Sequence, residues 1–157
     1  MAHAQLSDVD AVTQLSFLVQ GALLARADED ELSLVQVRLL GILRDRRPTM
    51  NELATLLELD KSSVTGLVAR AERRGLVSRS PSPRDGRSTV VAPTSAGRRL
   101  IRSVSVRFAA DVEALLAELP DRDRRALTSL ASRIVVAEAH RRGVDLLAGT
   151  TSRARSV

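Results

Sequence analysis

Two hydroxyls and two arginines fall on one side of a single short run. When residues 62–73 advance about 100° per residue, as on a helix, Ser62, Thr65, Gly66, Ala69, Arg70 and Arg73 share one face. Val64, Leu67, Val68 and Ala71 gather on the opposite face. The outer face is slim and hydroxylated at its N-terminal end and doubly basic at its C-terminal end. Small side chains permit close approach, hydroxyls can bond base edges, and guanidinium groups neutralise phosphates. A DNA major groove is the surface that uses all three. Asp60 is placed to cap this helix, and Gly75, just past Arg73 and Arg74, suits a left-handed C-terminal cap.

The next residues extend the pattern. Leu76–Arg79 and Ser88–Ala92 are β-prone runs on either side of Ser80–Arg87, a loop with prolines and an Asp-Gly turn signal. This predicts a β-hairpin with Arg84 and Arg87 at its tip. A helix followed at once by a basic-tipped hairpin is the order of a winged helix. A plain surface helix and an ordinary turn would be the bland alternative. Cap, helix, hairpin and tip charge all agree against it.

Other elements must position this pair. Asp8 to about Arg26 carries Val9, Val12, Leu15, Ser16, Val19, Ala22 and Leu23 at helical spacing, and Asp28–Glu31 reads as a solvated acidic turn. Ser33 and Gln36 have capping-box spacing and open a helix to about Arg46, with Val35, Leu39, Leu40, Ile42 and Leu43 inward. Thr49 and Glu52 repeat the box and open a short helix with Leu53, Leu56 and Leu57. Glu58-Leu59 turns into the basic-faced helix, which completes a helix-turn-helix. Beyond the hairpin, Thr94 caps a long helix that carries Leu100, Ile101, Val104, Phe108, Val112, Leu115, Leu116 and Leu119. Pro120 stops it, and Asp121 is expected to cap a last helix carrying Leu127, Leu130, Ile134 and Val135.

The fold class expected is mainly α with a small β-hairpin wing. Residues 33–92 form the winged helix-turn-helix, 1–32 and 93–147 supply dimerisation helices, and the Gly/Ser/Thr/Arg-rich tail 148–157 is expected to be disordered. The terminal helices carry more apolar surface than so small a winged unit can receive, so a second copy is the economical partner. Two reading heads also address both halves of a palindrome, where one head reads too few base pairs.

Charge is segregated along the chain. Residues 1–32 hold one arginine against six acids, residues 33–92 eleven basic against six acidic, and residues 93–157 twelve against seven. The only lysine, Lys61, heads the basic-faced helix. Arginine-for-lysine bias on this scale is a genome-composition effect, so the segregation, not the total, points to nucleic acid. No apolar run approaches ~20 residues, and no basic-then-apolar leader opens the chain. With no cysteine, disulfides, thiolate metal sites and thiol redox sensing are excluded, and a cytoplasmic location is expected. His3 and His140 stand apart without ligand-spaced partners, and no serine has a histidine in triad order. Gly86 and Gly97 read as punctuation rather than a phosphate cradle. No enzyme activity, cofactor or metal is expected.

In its motifs the chain resembles the MarR family of winged-helix transcriptional regulators from about residue 8 to about residue 145. The resemblance is carried by Asn51-Glu-Leu-Ala-Thr-Leu-Leu57, by Ser62 through Arg79, by Asp85-Gly-Arg87 in the wing, and by Pro93-Thr-Ser-Ala-Gly97. Their order and spacing together are the specific part. The resemblance implies that Ser62, Ser63 and Thr65 sit in the major groove, with Lys61 and Arg70 on bases or phosphates nearby. It implies that Arg87 enters the minor groove and that Asp85 braces the wing. Gly66 stands where many relatives carry a long side chain, which reduces direct base reading. Pro93 replaces the usual leucine, which alters the hinge into the long helix. The resemblance also implies a small-molecule effector, often an aromatic acid or phenol, held between dimer helices and winged domain. Phe17 and Phe108 sit at helical core positions and are expected to pack there, and Arg38 or Arg102 could pair an anionic ligand. Two other functions remain open: a winged helix used for protein interaction, and a DNA-binding repressor that answers to no ligand. The hydroxylated, basic outer face argues against the first.

Overall fold

The computed structural model describes residues 6–83, 86–141 and 143. The elements run α1 (Asp8–Asp28), α2 (Leu34–Asp45), α3 (Met50–Leu57), α4 (Lys61–Arg73), β1 (Val77–Pro81), β2 (Thr89–Pro93), α5 (Ser95–Leu116) and α6 (Asp121–Arg141). The expected disordered tail lies outside the described residues.

Local signals set the starts of the inner helices. Ser33 and Gln36 form a reciprocal capping box on α2, and Thr49 and Glu52 form one on α3, so two otherwise orphaned N–H groups are satisfied at each start. Asp60 caps α4 and Thr94 caps α5. Helix α3 ends on Glu58, a left-handed residue at φ 57°, and the chain turns directly into α4.

Most of the core lies between α2, α3, α4 and the hairpin, and Ala27 of α1 with Ile101 and Val104 of α5 joins it. Leu39 and Leu43 of α2, Leu53 and Leu57 of α3, Val64, Leu67 and Val68 of α4, Val77 of β1 and Val91 of β2 are fully buried. Each such side chain contributes roughly 1.5–3 kcal/mol by leaving water. The two strands pair antiparallel from Val77 opposite Pro93 to Pro81 opposite Thr89. The Val91 N–H donates to the Pro48 carbonyl at 2.9 Å, and Thr49 bridges Val90. These bonds fasten the hairpin to the α2–α3 connection and fix its direction relative to α4.

Pro93 ends β2 one residue before the cap of α5. It is buried in β2, and its carbonyl accepts from Arg98 Nη1 at 2.7 Å. Thr94 Oγ1 donates to the Gly75 carbonyl at 2.6 Å, and the Thr94 N–H donates to the Leu76 carbonyl at 3.0 Å. A Cβ at Gly97 would stand 1.9 Å from that same Leu76 oxygen. Gly97 is therefore more than punctuation: only a residue without a side chain lets α5 dock on this turn.

The acidic turn also departs from expectation. Asp30 forms an ion pair with Arg107 of α5, and Arg26 bonds Asp111 through Nε at 2.6 Å and Nη2 at 2.7 Å. Arg74, at the end of α4, donates to the carbonyls of Asp30 and Glu31 at 3.0 and 2.9 Å. The turn thus clamps α1, α4 and α5 together instead of standing free in solvent. The bidentate Arg26 bond holds the Asp111 carboxyl below its usual range.

The terminal helices differ in kind. Among their described residues α1 buries only Ala27 and α6 only Ala139. Val9 is 74 % exposed, Val12 66 %, Phe17 60 % and Ile134 68 %. Phe17 is thus not a core residue of the single chain, whereas Phe108 is half-buried between helices. Asp121 is the first residue of α6 rather than its cap, and the N–H groups of Asp123 and Arg124 reach the Pro120 carbonyl. No described helix is long and apolar enough to cross a membrane.

Candidate nucleic-acid interface

Helix α4 splits as its spacing predicts. Val64, Leu67, Val68 and Ala71 are buried, while Lys61, Ser62, Ser63, Thr65, Arg70 and Arg73 are exposed and Gly66 and Ala69 are intermediate. Asp60 organises the N-terminal end. Its carboxylate accepts the Ser63 N–H at 2.9 Å, the Ser62 hydroxyl at 2.5 Å and the Ser63 hydroxyl at 2.6 Å. These bonds, led by the Ser62 hydroxyl, hold the Asp60 carboxyl far below the ordinary carboxylate range. The Thr65 hydroxyl donates back to the Lys61 carbonyl at 2.8 Å.

Gly66 acquires a specific role. A Cβ there would lie 3.3 Å from Arg70 Nη1, so the Arg70 guanidinium folds back beside the glycine. A cation one turn further on thereby occupies the space from which a longer residue at 66 would extend. Beside this face a shallow groove of about 400 Å³ runs between Ser62, Ser63, Gly66 and Arg70 of α4 and Ser33 and Val35 at the start of α2.

The wing carries Arg87, exposed, beyond Gly86 at φ 60°. The Gly86 N–H donates to the Ser82 carbonyl at 2.9 Å, and the Ser82 N–H to the Ser88 carbonyl at 2.7 Å, which closes the hairpin loop around the buried Ser82. Arg84 and Asp85 lie outside the described residues. At the base of the wing Arg79 bonds Glu72 of α4 through Nη2 at 2.5 Å and Nε at 3.0 Å. That pair braces β1 against the reading helix and lowers the Glu72 pKa. Sequence reasoning missed both Arg79 and Arg74 as braces. Seven residues separate Glu72 from Arg79, a spacing that says nothing until the chain reverses at Gly75.

A second concavity lies away from α4. A cleft of about 250 Å³ opens between α1, α2 and α5, walled by Leu23, Leu40, Ile101, Val104 and Phe108 and bordered by Arg38 and Arg44. Arg102 does not line it. No group of three or more metal-ligating side chains occurs among the described residues.

Comparison with known proteins places this geometry. Residues 30–88 match the model of the MarR family. The transcriptional repressor NicR of Pseudomonas putida is 34 % identical over 77 residues, a stretch covering 48 % of this chain and 49 % of NicR. The match thus spans about half the length of that curated relative. CouR from Rhodococcus jostii RHA1, solved bound to p-coumaroyl-CoA, is 25 % identical, with a TM-score of 0.67 over 82 % of this chain and 92 % of CouR. A point mutant of MepR from S. aureus, solved bound to an oligodeoxyribonucleotide, is 17 % identical and shares the fold, with a TM-score of 0.60 over 85 % of this chain and 99 % of MepR. Its helix-turn-helix and wing, residues 30–88, thus match the MarR family, and along most of its length the chain shares the fold of solved MarR-family regulators.

Proposed function

We propose that this protein binds DNA as a homodimer at a pseudo-palindromic operator, represses transcription there, and is released by a small-molecule effector. The observation that carries the reading is the exposed face of α4, where Lys61, Ser62, Ser63, Thr65, Arg70 and Arg73 stand over a sealed apolar floor with Arg87 on the adjoining wing. In this assignment the hydroxyls meet base edges, Lys61, Arg70 and Arg73 meet bases or phosphates, and Arg87 meets the minor groove. Arg84 and Asp85 are assigned to DNA binding in the same proposal, on the family resemblance alone. The name of NicR as a repressor and the DNA complex of MepR support the same direction.

Dimerisation rests on the uncovered apolar residues of α1 and α6, which an isolated chain leaves in water. The division into a winged unit at 33–92 and dimerisation helices at 1–32 and 93–147 is part of this proposal. Effector release rests on the cleft between α1, α2 and α5. That space touches both the terminal helices and the winged unit, so a ligand favouring one spacing of the reading heads by a few kcal/mol would shift the bound population. The cleft favours this reading over a ligand-independent repressor.

Footprinting on a selected operator tests the arrangement. The two reading helices should lie one helical turn apart, so half-site centres are expected ~10 bp apart. Inserting ~5 bp between the halves turns one half to the wrong face and should abolish tight binding. Retained affinity would reject a rigid dimer. Arg87→Ala should weaken binding on all sequences and lower the salt slope by about 1, whereas Thr65→Ala should change sequence preference more than salt dependence. Equal losses on specific and random DNA for both variants would reject these roles.

A further inference from the structure

We infer that the reading helix selects base-edge donors, the exocyclic amino groups of adenine and cytosine, because its three hydroxyls have already spent their protons within the protein. The inference rests on the DNA-binding reading above and assigns Asp60 as the residue that sets the polarity of that reading.

A serine or threonine hydroxyl has one proton and two lone pairs, and when its rotor is free it can serve a base as donor or acceptor. Here none of the three rotors is free. Ser62 Oγ and Ser63 Oγ contact Oδ1 and Oδ2 of Asp60 at 2.5 and 2.6 Å, and Thr65 Oγ1 contacts the Lys61 carbonyl at 2.8 Å. An ionised carboxylate and a backbone carbonyl can only accept, so each hydroxyl must be the donor in its bond. What the hydroxyls still offer outward is lone pairs.

Asp60 remains ionised under all ordinary conditions because the same bonds, together with the Ser63 N–H at the helix N-terminus, stabilise its charge. The pattern therefore does not change in solution. In the major groove adenine N6 and cytosine N4 carry protons to donate, whereas guanine O6 and N7 and thymine O4 are acceptors. Hydroxyl lone pairs match the former and repel the latter. The cations Lys61 and Arg70 flank the three hydroxyls and supply the donors that guanine and phosphate need. The face is thus divided, with an accepting middle and donating flanks. Without Asp60 the serines would be indifferent to base-edge polarity.

The experiment begins with selection of a binding site for the full-length chain from random DNA, followed by substitution of single bases under the Ser62–Thr65 segment. Purine in place of adenine, or pyrimidin-2-one in place of cytosine, deletes only the amino group. The 7-deaza analogue deletes only the purine N7 acceptor. Loss of an amino group is expected to weaken binding about three- to tenfold per position, and loss of N7 to leave it unchanged within about twofold. Asp60→Asn keeps a good helix cap but brings an amide N–H₂ that can donate to one serine, freeing that serine's proton. Its amino-deletion penalty should shrink, and base choice at that position should broaden, with helix content by circular dichroism unchanged. Should Asp60→Asn lose helix content, the analogue series on the unaltered chain decides alone. Larger penalties for N7 deletion than for amino deletion would overturn the inference while leaving DNA binding intact. Failure to select any sequence would overturn the DNA-binding reading and this inference with it.

Discussion

The winged unit and the terminal helices draw on similar apolar residues and use them in opposite ways. In the winged unit, leucines and valines from α2, α3, α4 and both strands are fully buried within one chain. In α1 and α6 the same residue types stand in water, with one alanine buried in each. Apolar content alone does not make a core. The residues of α4 repeat at 3, 4 and 7, so one face closes on its neighbours, whereas α1 carries Val9, Val12, Phe17, Leu18 and Leu24 on several sides. A helix apolar around much of its circumference is one that expects to be enclosed. One region of the molecule is finished by its own chain, and the other is left uncovered by it, which is what the proposed dimer would answer.

The largest test of that contrast pairs two core-type truncations. Leu67→Ala should lower the unfolding free energy by about 2–5 kcal/mol at every protein concentration, because the cavity lies inside the chain. Ile134→Ala should show its cost chiefly as a steeper dependence of the denaturation midpoint on protein concentration. Urea denaturation at two concentrations separates them, and equal, concentration-independent losses would erase the distinction.

A smaller effect comes from two glycines. Gly97→Ala drives a methyl into the Leu76 carbonyl and should destabilise by roughly 1–3 kcal/mol. Gly21→Ala, in α1 with open space around it, should instead stabilise by about 0.5–1 kcal/mol through helix propensity. A loss at Gly21 in thermal unfolding would sharpen the comparison, since it would put a partner's backbone against that turn.

The smallest effect is electrostatic. Asp60, Glu72 and Asp111 all have pKa values lowered by hydrogen bonds, so their stabilisation is complete above the ordinary carboxylate range and is lost as pH falls through the folded values. The thermal midpoint should be flat from about pH 8 to 5 and decline below about 4. Asp111→Asn, which breaks the α1–α5 clamp, should lower the plateau and make the decline shallower; Glu72→Gln should do the same for the brace within the winged unit. An unchanged acid limb in both variants would remove these pairs from the account of acid unfolding.

Much of this was legible in the residues because the signals are local. Capping boxes at Ser33 and Thr49, the cap at Asp60, the left-handed Gly75 and the split faces of α4 each need only a few neighbours in sequence. What escaped was long-range. Asp30 meets Arg107 across 77 residues and Arg26 meets Asp111 across 85, so the turn at 28–31 looked solvated. Phe17 looked internal because periodicity reveals that a face is apolar, not whether its own chain covers it. Nothing in the serines at 62 and 63 tells which way their hydroxyl protons point until Asp60 is placed beside them. Gly97 needed the distance to Leu76 before its identity had a reason.

The docking of Thr94, Gly97 and Arg98 on the end of the winged unit has a mechanical consequence. The first turn of α5 cannot pivot on the hairpin, so reading helix, wing and α5 move as one stiff arm. With 22 residues, α5 is roughly 33 Å long. A tilt of about 5° applied near Leu116 would therefore swing its opposite end by about 3 Å, close to the rise between successive base pairs. In the effector reading proposed above, leverage of that kind would let a slight wedge beneath α5 become a whole-step misfit at the DNA.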